Sequence, residues 1–324
     1  MSHEDSSCCS TAPKDKALVE NNGEENRYRL HRRFDRLGRL YGDRSIERLM
    51  NTRVIVFGVG GVGSFAAEAL ARSAVGHITL VDFDDVCVTN ANRQLQALKG
   101  NIGKPKVWVL RDRLQLINPQ AKIVAKRAFY NAQRSQELLT PPWDGAHTYD
   151  YVVDCIDNMT AKAHLLDACV KRSVPVISSM GAAGKLDPTR IRIADLALTQ
   201  VDPMAKEMRH ILRKKYDFPQ KGNMGISAVY SDEHRTWPKD LNYDNGEGFR
   251  CVCPTKYAEH NCDSKNLIDG TVSFVTGSFG LACASHVINS LTEELRLQSR
   301  EARDHQGRQP INTKPRPMRM ATQL

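Results

Sequence analysis

The apolar positions of this chain follow two alternating patterns. Short runs of β-branched and aliphatic residues are separated by longer stretches in which apolar positions recur three and four apart. Val54 to Phe57 is such a run, and it reads as a strand buried on both faces. Ser64 to Arg72 follows with helix formers, and Phe65, Ala69 and Leu70 fall on one side. Ile78 to Val81 is a second buried run, ending in Asp82. Lys104 to Ile117 spaces Val107, Leu110, Leu114 and Ile117 for one helix face, and Pro119 ends it. Lys122 to Val124 reads as a short strand, and Thr140 to His147, with Pro141, Pro142 and Gly145, as a loop. Tyr151 to Cys155 is a β-rich strand, Met159 to Arg172 a helix, and Val174 to Ser178 another buried strand. This alternation predicts an α/β fold: a doubly wound, Rossmann-like parallel sheet.

The flanks are less regular. Tyr28 to Met50 reads as one helix, with Leu30, Phe34, Leu37, Leu40, Ile46 and Leu49 apolar and with Arg29, Arg32, Arg33, Arg36, Arg39 and Arg44 along it. Ile191 to Ile193 reads as a strand, and Pro203 to Tyr216 as a helix ending in Arg213, Lys214 and Lys215. Tyr216 to Phe249 is rich in Gly, Pro, Asp and Asn, which predicts loops with one strand at Ile226 to Ser231. Cys251 to Gly270 has no period. Thr271 to Leu291 is long and apolar enough for a membrane span, but its Ser, Gly and His content fits a strand and helix in the core better. Met1 to Asn26 and Arg300 to Leu324 are polar and aperiodic and are expected to be disordered tails.

Composition narrows the class. Hydrophobic residues make up 41% of the 324 and charged residues 26%, as in soluble globular proteins. The net charge of +9 permits a polyanionic partner. Nine cysteines, an odd number, and a polar start without a signal peptide point to reduced thiols and a cytoplasmic setting. Glu4, Asp5, Glu20, Glu24 and Glu25 argue against a transit peptide.

The chemistry is concentrated between Arg53 and Arg93, where strand, glycine turn, helix, strand and acid follow in the order of a nucleotide-binding unit. Gly58, Gly60, Gly61 and Gly63 let backbone approach a phosphate, and the helix amides behind them face its charge. Asp82, at a strand tip, is placed to accept hydrogen bonds from ribose hydroxyls, and no basic partner for a 2′-phosphate stands beside it. Asn90, Arg93, Lys106 and Asp157 follow strand ends or open the next helix, so they can meet in one crevice. Hydride transfer has little use for such charges around phosphates. Adenylation needs them: a carboxylate attacks the α-phosphate of ATP, pyrophosphate leaves, Arg93 and Lys106 neutralise the charge, and Asp157 can hold Mg²⁺.

The strings GVGGVG, LVDFDDV, TNANRQ, GKPKV and DCIDN, in this order, resemble the adenylating domain of the ubiquitin-activating, ThiF and MoeB superfamily, over about Arg33 to Ile193. The resemblance implies that Gly58, Gly60, Gly61 and Gly63 form the nucleotide loop and that Asp82 binds ribose. It also implies that Asn90, Arg93 and Lys106 contact phosphates and that Asp157 binds Mg²⁺. It implies a homodimer in which an arginine of the N-terminal helix, Arg39 or Arg33, reaches ATP. The expected organisation is a tail at 1–27, an adenylating domain at 28–299 and a basic tail at 300–324. Within the domain, 33–193 would be the nucleotide-binding core and 194–299 the substrate-side part.

ThiF- and MoeB-like members of the superfamily usually carry two Cys-x-x-Cys pairs for zinc; this sequence has none, and Cys251, Cys253, Cys262 and His260 fit no common zinc spacing. No zinc is expected. RLYG at Arg39 to Gly42, AAEALAR, DDVCVTNANRQ, LDPTRI and DGTVSFVTGSFG resemble instead the bacterial tRNA threonylcarbamoyladenosine dehydratases. That likeness reaches Leu291 and departs over Asp232 to Val252. It implies ATP-dependent activation of a carboxyl beside the tRNA anticodon, then ring closure with loss of water and no external nucleophile. It also implies tRNA as a partner and, through a cysteine aligned with Cys262, a sulfur-relay protein. Two alternatives stay in view: adenylation of the C-terminus of a ubiquitin-like or sulfur-carrier protein, and a non-catalytic scaffold that delivers sulfur. The missing Cys-x-x-Cys pairs argue against the first, and Arg93, Lys106 and Asp157 against the second.

Overall fold

The computed structural model describes residues 32–239, 241 and 269–305. The expected N-terminal tail, nearly all of the C-terminal one, and Cys251, Cys253, His260 and Cys262 lie outside the described residues. Seven strands form one sheet: β1 Arg53–Phe57, β2 His77–Asp82, β3 Lys122–Arg127, β4 Tyr151–Asp154, β5 Val176–Ser179, β6 Ile191–Asp195 and β7 Ser227–Ser231. Their order is β3-β2-β1-β4-β5-β7-β6. Every neighbouring pair is parallel except β6 with β7, so an antiparallel strand closes one edge. The chain thus starts at mid-sheet and winds outward first one way and then the other, as the alternating pattern predicts.

The helices are α1 Asp35–Tyr41, α2 Asp43–Met50, α3 Gly63–Arg72, α4 Lys106–Ile117, α5 Ser135–Leu138, α6 Met159–Lys171, α7 Pro203–Lys215 and α8 Ser273–His305. Side chains alternate across the sheet. Val54 and Val56 of β1 enter one core with Leu70 of α3, Leu110 and Leu114 of α4, and Val275, Phe279 and Val287 of α8. Ile55 and Phe57 enter the other with Leu165 and Leu166 of α6 and Met208 and Leu212 of α7. Burial on both faces explains why the central strands are apolar throughout rather than alternating.

Two expectations are corrected. The helix read over Tyr28 to Met50 breaks at Gly42, whose φ of +86° no continuing helix permits, giving α1 and α2. Thr271 to Leu291 holds no strand: α8 is one helix from Ser273. Its small residues serve a close helix crossing. A Cβ on Gly280 would stand 2.3 Å from the Val62 carbonyl oxygen, and one on Gly277 would stand 3.2 Å from the Phe65 ring. By length and composition Ser273–Gln298 could cross a membrane, yet Val275, Phe279, Cys283 and Val287 are spent on the sheet core.

Candidate active site

A cavity of about 630 Å³ runs along the carboxyl ends of β3, β2, β1, β4 and β5. From β3 to β5 is four strand spacings, about 19 Å. Its walls are the turns that leave those strands, which is where an open parallel sheet leaves a crevice. Gly58, Gly60, Gly61, Asp82, Asn90, Arg93, Lys106 and Asp157 all line it. Gly63 and Arg39 do not line this chain's own cavity.

The four glycines have different jobs. Gly58 has φ +78°, and a Cβ there would meet the Cys155 carbonyl oxygen at 2.6 Å. A Cβ on Gly63 would stand 1.8 Å from the Gly58 carbonyl oxygen. These two let the turn from β1 into α3 close. Gly60 has only Gln94 Nε2 nearby, at 3.7 Å, and Gly61 has the Arg93 side chain at 3.2 Å. These two present bare backbone to the cavity.

Asp82 is 8% exposed. Its Oδ2 accepts from the Val59 amide at 2.8 Å and its Oδ1 from the Asp84 amide at 2.9 Å. The carboxylate therefore ties the glycine loop to the turn after β2. Burial raises its pKa, while the Lys106 charge and the two amides oppose the rise. Lys106 is 6% exposed and donates to Asp84 Oδ2 at 2.7 Å. Burial works against its charge, but Asp82, Asp84 and Asp157 prevail and hold its pKa above the ordinary lysine value. It is a buried cation fixed beside Asp84 and Asp82.

Arg93 is half-buried, and its Nη1 donates to the Thr89 carbonyl at 2.9 Å and Asn92 Oδ1 at 3.0 Å. Burial lowers its pKa against the pull of Cys87 and Asp157. Asn90 is buried, and its Oδ1 accepts from the Cys87 amide at 3.1 Å, which shapes the turn that carries Arg93. Asp157 is exposed within the cavity and forms no ion pair among the described residues. Its turn is held from both sides. Asn158 caps α6 by accepting from the Ala161 amide, and the fully buried Asp154 accepts from Lys162 Nζ at 2.7 Å, Ser178 Oγ at 2.6 Å and the Ile156 amide at 3.0 Å.

Arg39 lies on the exposed side of α1 and donates to Asp35 at 2.9 Å. Arg33 donates to the Ile117 carbonyl. Neither side chain enters its own cavity.

Several lining residues carry no sequence signal of their own. Asp84 pairs with Lys106, and Gln94 is buried against the loop. Past the end of β5, Lys185 is buried and donates to the Glu233 carbonyl, and Arg235 pairs with Asp269. Asp84 stands inside the string LVDFDDV and Gln94 ends TNANRQ; Lys185 and Arg235 come from segments without period.

Comparison with known proteins bears on the family and the fold. The family model described as "ThiF family" matches residues 34–315. A Haemophilus influenzae protein named tRNA threonylcarbamoyladenosine dehydratase is 40% identical over 264 residues, 81% of this chain and 94% of that one. A Bacillus subtilis protein of the same name is 38% identical over 270 residues, 83% of this chain and 98% of that one. The crystal structure of the Escherichia coli tRNA N6-threonylcarbamoyladenosine dehydratase in complex with ATP matches with a TM-score of 0.69 at 33% identity. That match covers 83% of this chain and 97% of that one.

Proposed function

The chain belongs to the ThiF family, and from that premise we propose that it uses ATP to cyclise threonylcarbamoyladenosine in tRNA, through an adenylate of the carboxyl group. The observation that carries this reading is one cavity with two ends. The glycine loop, Asp82, Asn90, Arg93, Lys106 and Asp157 line it at the ends of β2, β1 and β4, and open space continues past the end of β5, beside Ser179 to Ala183 and Lys185, for a second reactant. Relatives named for this reaction span nearly the same length, and one is known with ATP.

In this reading the substrate carboxylate attacks the α-phosphorus, the bond to the β-phosphate oxygen breaks, and pyrophosphate leaves. An atom of the same side chain then attacks the activated carbonyl, and AMP departs with the oxygen that would otherwise leave as water. Lys106 and Arg93 stabilise the negative charge that builds on the phosphate oxygens. The buried Lys106 is held in place before the reaction, so little reorganisation is needed there. Asp82 orients the ribose and, through the Val59 amide, the glycine loop. Asp157 is the residue that would hold Mg²⁺ with ATP. A single free carboxylate beside a phosphate site suits that ion, which keeps water and phosphate ligands, and it would add positive charge at the phosphates. Among the described residues no cluster of three metal-ligating side chains exists, so this ion would depend on the nucleotide. The adenylating core belongs to 33–193 and the substrate side to 194–299, within a domain over 28–299. An arginine of the N-terminal helices, Arg39 or Arg33, would serve the partner subunit's ATP in a homodimer.

The test is AMP release with tRNA carrying threonylcarbamoyladenosine, followed by mass analysis of the nucleosides. Loss of one water from that nucleoside, dependent on ATP, is the expected result. Arg93→Ala and Asp157→Ala should lower turnover more than they weaken ATP binding, since both are assigned to the transition state. Full turnover in either variant removes its role, and ATP use with unchanged nucleosides sinks the reading.

A further inference from the structure

Beyond β7 the chain reaches the cavity wall at Arg235 and, two residues on, presents a tryptophan that no assigned step uses. Trp237 is 68% exposed. Isolated exposed apolar side chains are ordinary, but a largely exposed indole is a large apolar face left in water. This one is also held in place. The Arg235 guanidinium carbon lies 4.5 Å from the centroid of the indole ring, and Arg235 is itself fixed by Asp269. The Thr236 amide, between them, donates to the Gly184 carbonyl at 2.7 Å, and the Gly184 amide donates to the Gly270 carbonyl at 2.8 Å. Gly184 has φ +68°, and a Cβ there would stand 2.9 Å from Arg235 Cγ and from the Thr236 carbonyl oxygen. Earlier in the same segment, the Glu233 carboxylate accepts from the Leu186 and Asp187 amides. The platform is therefore stitched to the turn after β5 and to the residues that precede α8.

Arg235 lines the cavity, and its partner Asp269 stands two residues before Thr271, whose carbonyl accepts from Asn92 Nδ2 at 2.9 Å. Trp237 itself does not line the cavity, so it stands outside the space that a nucleotide on the glycine loop would fill. A planar ring over the indole, with a cation beside it, is the arrangement in which proteins hold unpaired bases. We propose that Trp237, backed by Arg235, is a stacking site for an unpaired nucleobase next to the modified adenosine. This rests on the tRNA-modifying function proposed above and adds to it how the nucleic acid is held. The modified residue enters the cavity, its neighbour in the loop is splayed onto the indole, and the stack sets the register. Stacking has no preference for a hydrogen-bonding edge, so the site recognises an accessible base rather than a sequence.

The experiment compares wild type, Trp237→Ala and Trp237→Phe, each checked by thermal melting, on two substrates: modified tRNA and the free modified nucleoside. Trp237→Ala is expected to raise the KM for tRNA roughly 5- to 150-fold, the range for losing one stacked base, and to leave the KM for ATP unchanged. Trp237→Phe should recover most of the loss. The free nucleoside has no neighbouring base, so on it the variants should match wild type. In parallel, an unmodified anticodon stem-loop oligonucleotide should quench the fluorescence component that Trp237→Phe removes. An unchanged KM for tRNA in Trp237→Ala, or an equal loss on the free nucleoside, overturns the stacking site and leaves the function intact. Quenching by the oligonucleotide in a protein that never turns over tRNA would support the stacking site while the function fails. No quenching and no turnover would overturn both.

Discussion

Gly58, Gly60, Gly61 and Gly63 look alike in the sequence, and the backbone around them separates them. An added methyl at Gly63 collides with the carbonyl of Gly58, whereas one at Gly60 meets only the end of a glutamine side chain. Gly63→Ala should therefore cost at least about 1–3 kcal/mol of stability, as overpacking does, and be seen in a urea melt. Gly60→Ala should melt like wild type yet lose ATP affinity in a calorimetric titration. Equal melting of the two, or unimpaired ATP binding by Gly60→Ala, would refute this division of labour. Asp154 sets a second residue-scale expectation. It and Lys162 are wholly buried, and Asp154 accepts from three groups at once. Removing one member strands a buried charge, so Asp154→Ala should destabilise by about 3–5 kcal/mol. It should also loosen the turn that carries Asp157. A loss within the range of a surface substitution, in the same urea assay, would contradict this.

At the scale of elements, α7 joins the cavity to an exposed cationic face. Pro203 and Met204 at its start line the cavity. Lys206, Arg209, His210, Arg213 and Lys214, further along, line a surface hollow of about 400 Å³ with Gln220. Arg209 and Arg213 are tethered to backbone carbonyls, and none of the four Lys and Arg side chains forms an ion pair among the described residues. From Met204 to Lys214 is about 15 Å of helix. If tRNA phosphates lie along this face, reversing the charges of Lys206, Arg213 and Lys214 together should flatten the salt dependence of tRNA binding. The log–log slope should fall by about two to three units in a filter-binding titration. An unchanged slope moves the contact elsewhere. Elements also show where sequence reading succeeds. The central strands and the turn after β1 are legible because continuous apolar runs and glycine spacing are local properties. Gly42 and α8 are not, because their cause is distant. One glycine is a break through its φ, and Gly277 and Gly280 are helix residues kept small by α3. Lys185 and Arg235 reach the cavity only through pairing with residues far along the chain, which no periodicity records.

The whole molecule carries a pH dependence. His77, His164 and His286 are each pushed below the usual imidazole pKa, mainly by burial, with nearby cations adding to it at His77 and His164. In the unfolded chain they take up protons near pH 6.5, while in the folded protein they resist until lower pH. The unfolded state then binds more protons in that window, so stability falls as pH drops through 6.5 toward the depressed folded values. Urea midpoints measured between about pH 7.5 and 5.5 should decline, and His286→Gln should decline less steeply. A midpoint that rises on acidification would reverse the assignment. The path of the chain has a further consequence. Thr276, near the start of α8, lines the same cavity as the glycine loop, and α8 lies against α3 through Gly277 and Gly280. The turn that begins the site is thus finished by the last helix described. During synthesis on the ribosome the nucleotide loop emerges long before its final wall. A chain that stops before α8 has the glycine loop but lacks the wall at Thr276, so such a truncated chain is expected to consume no ATP.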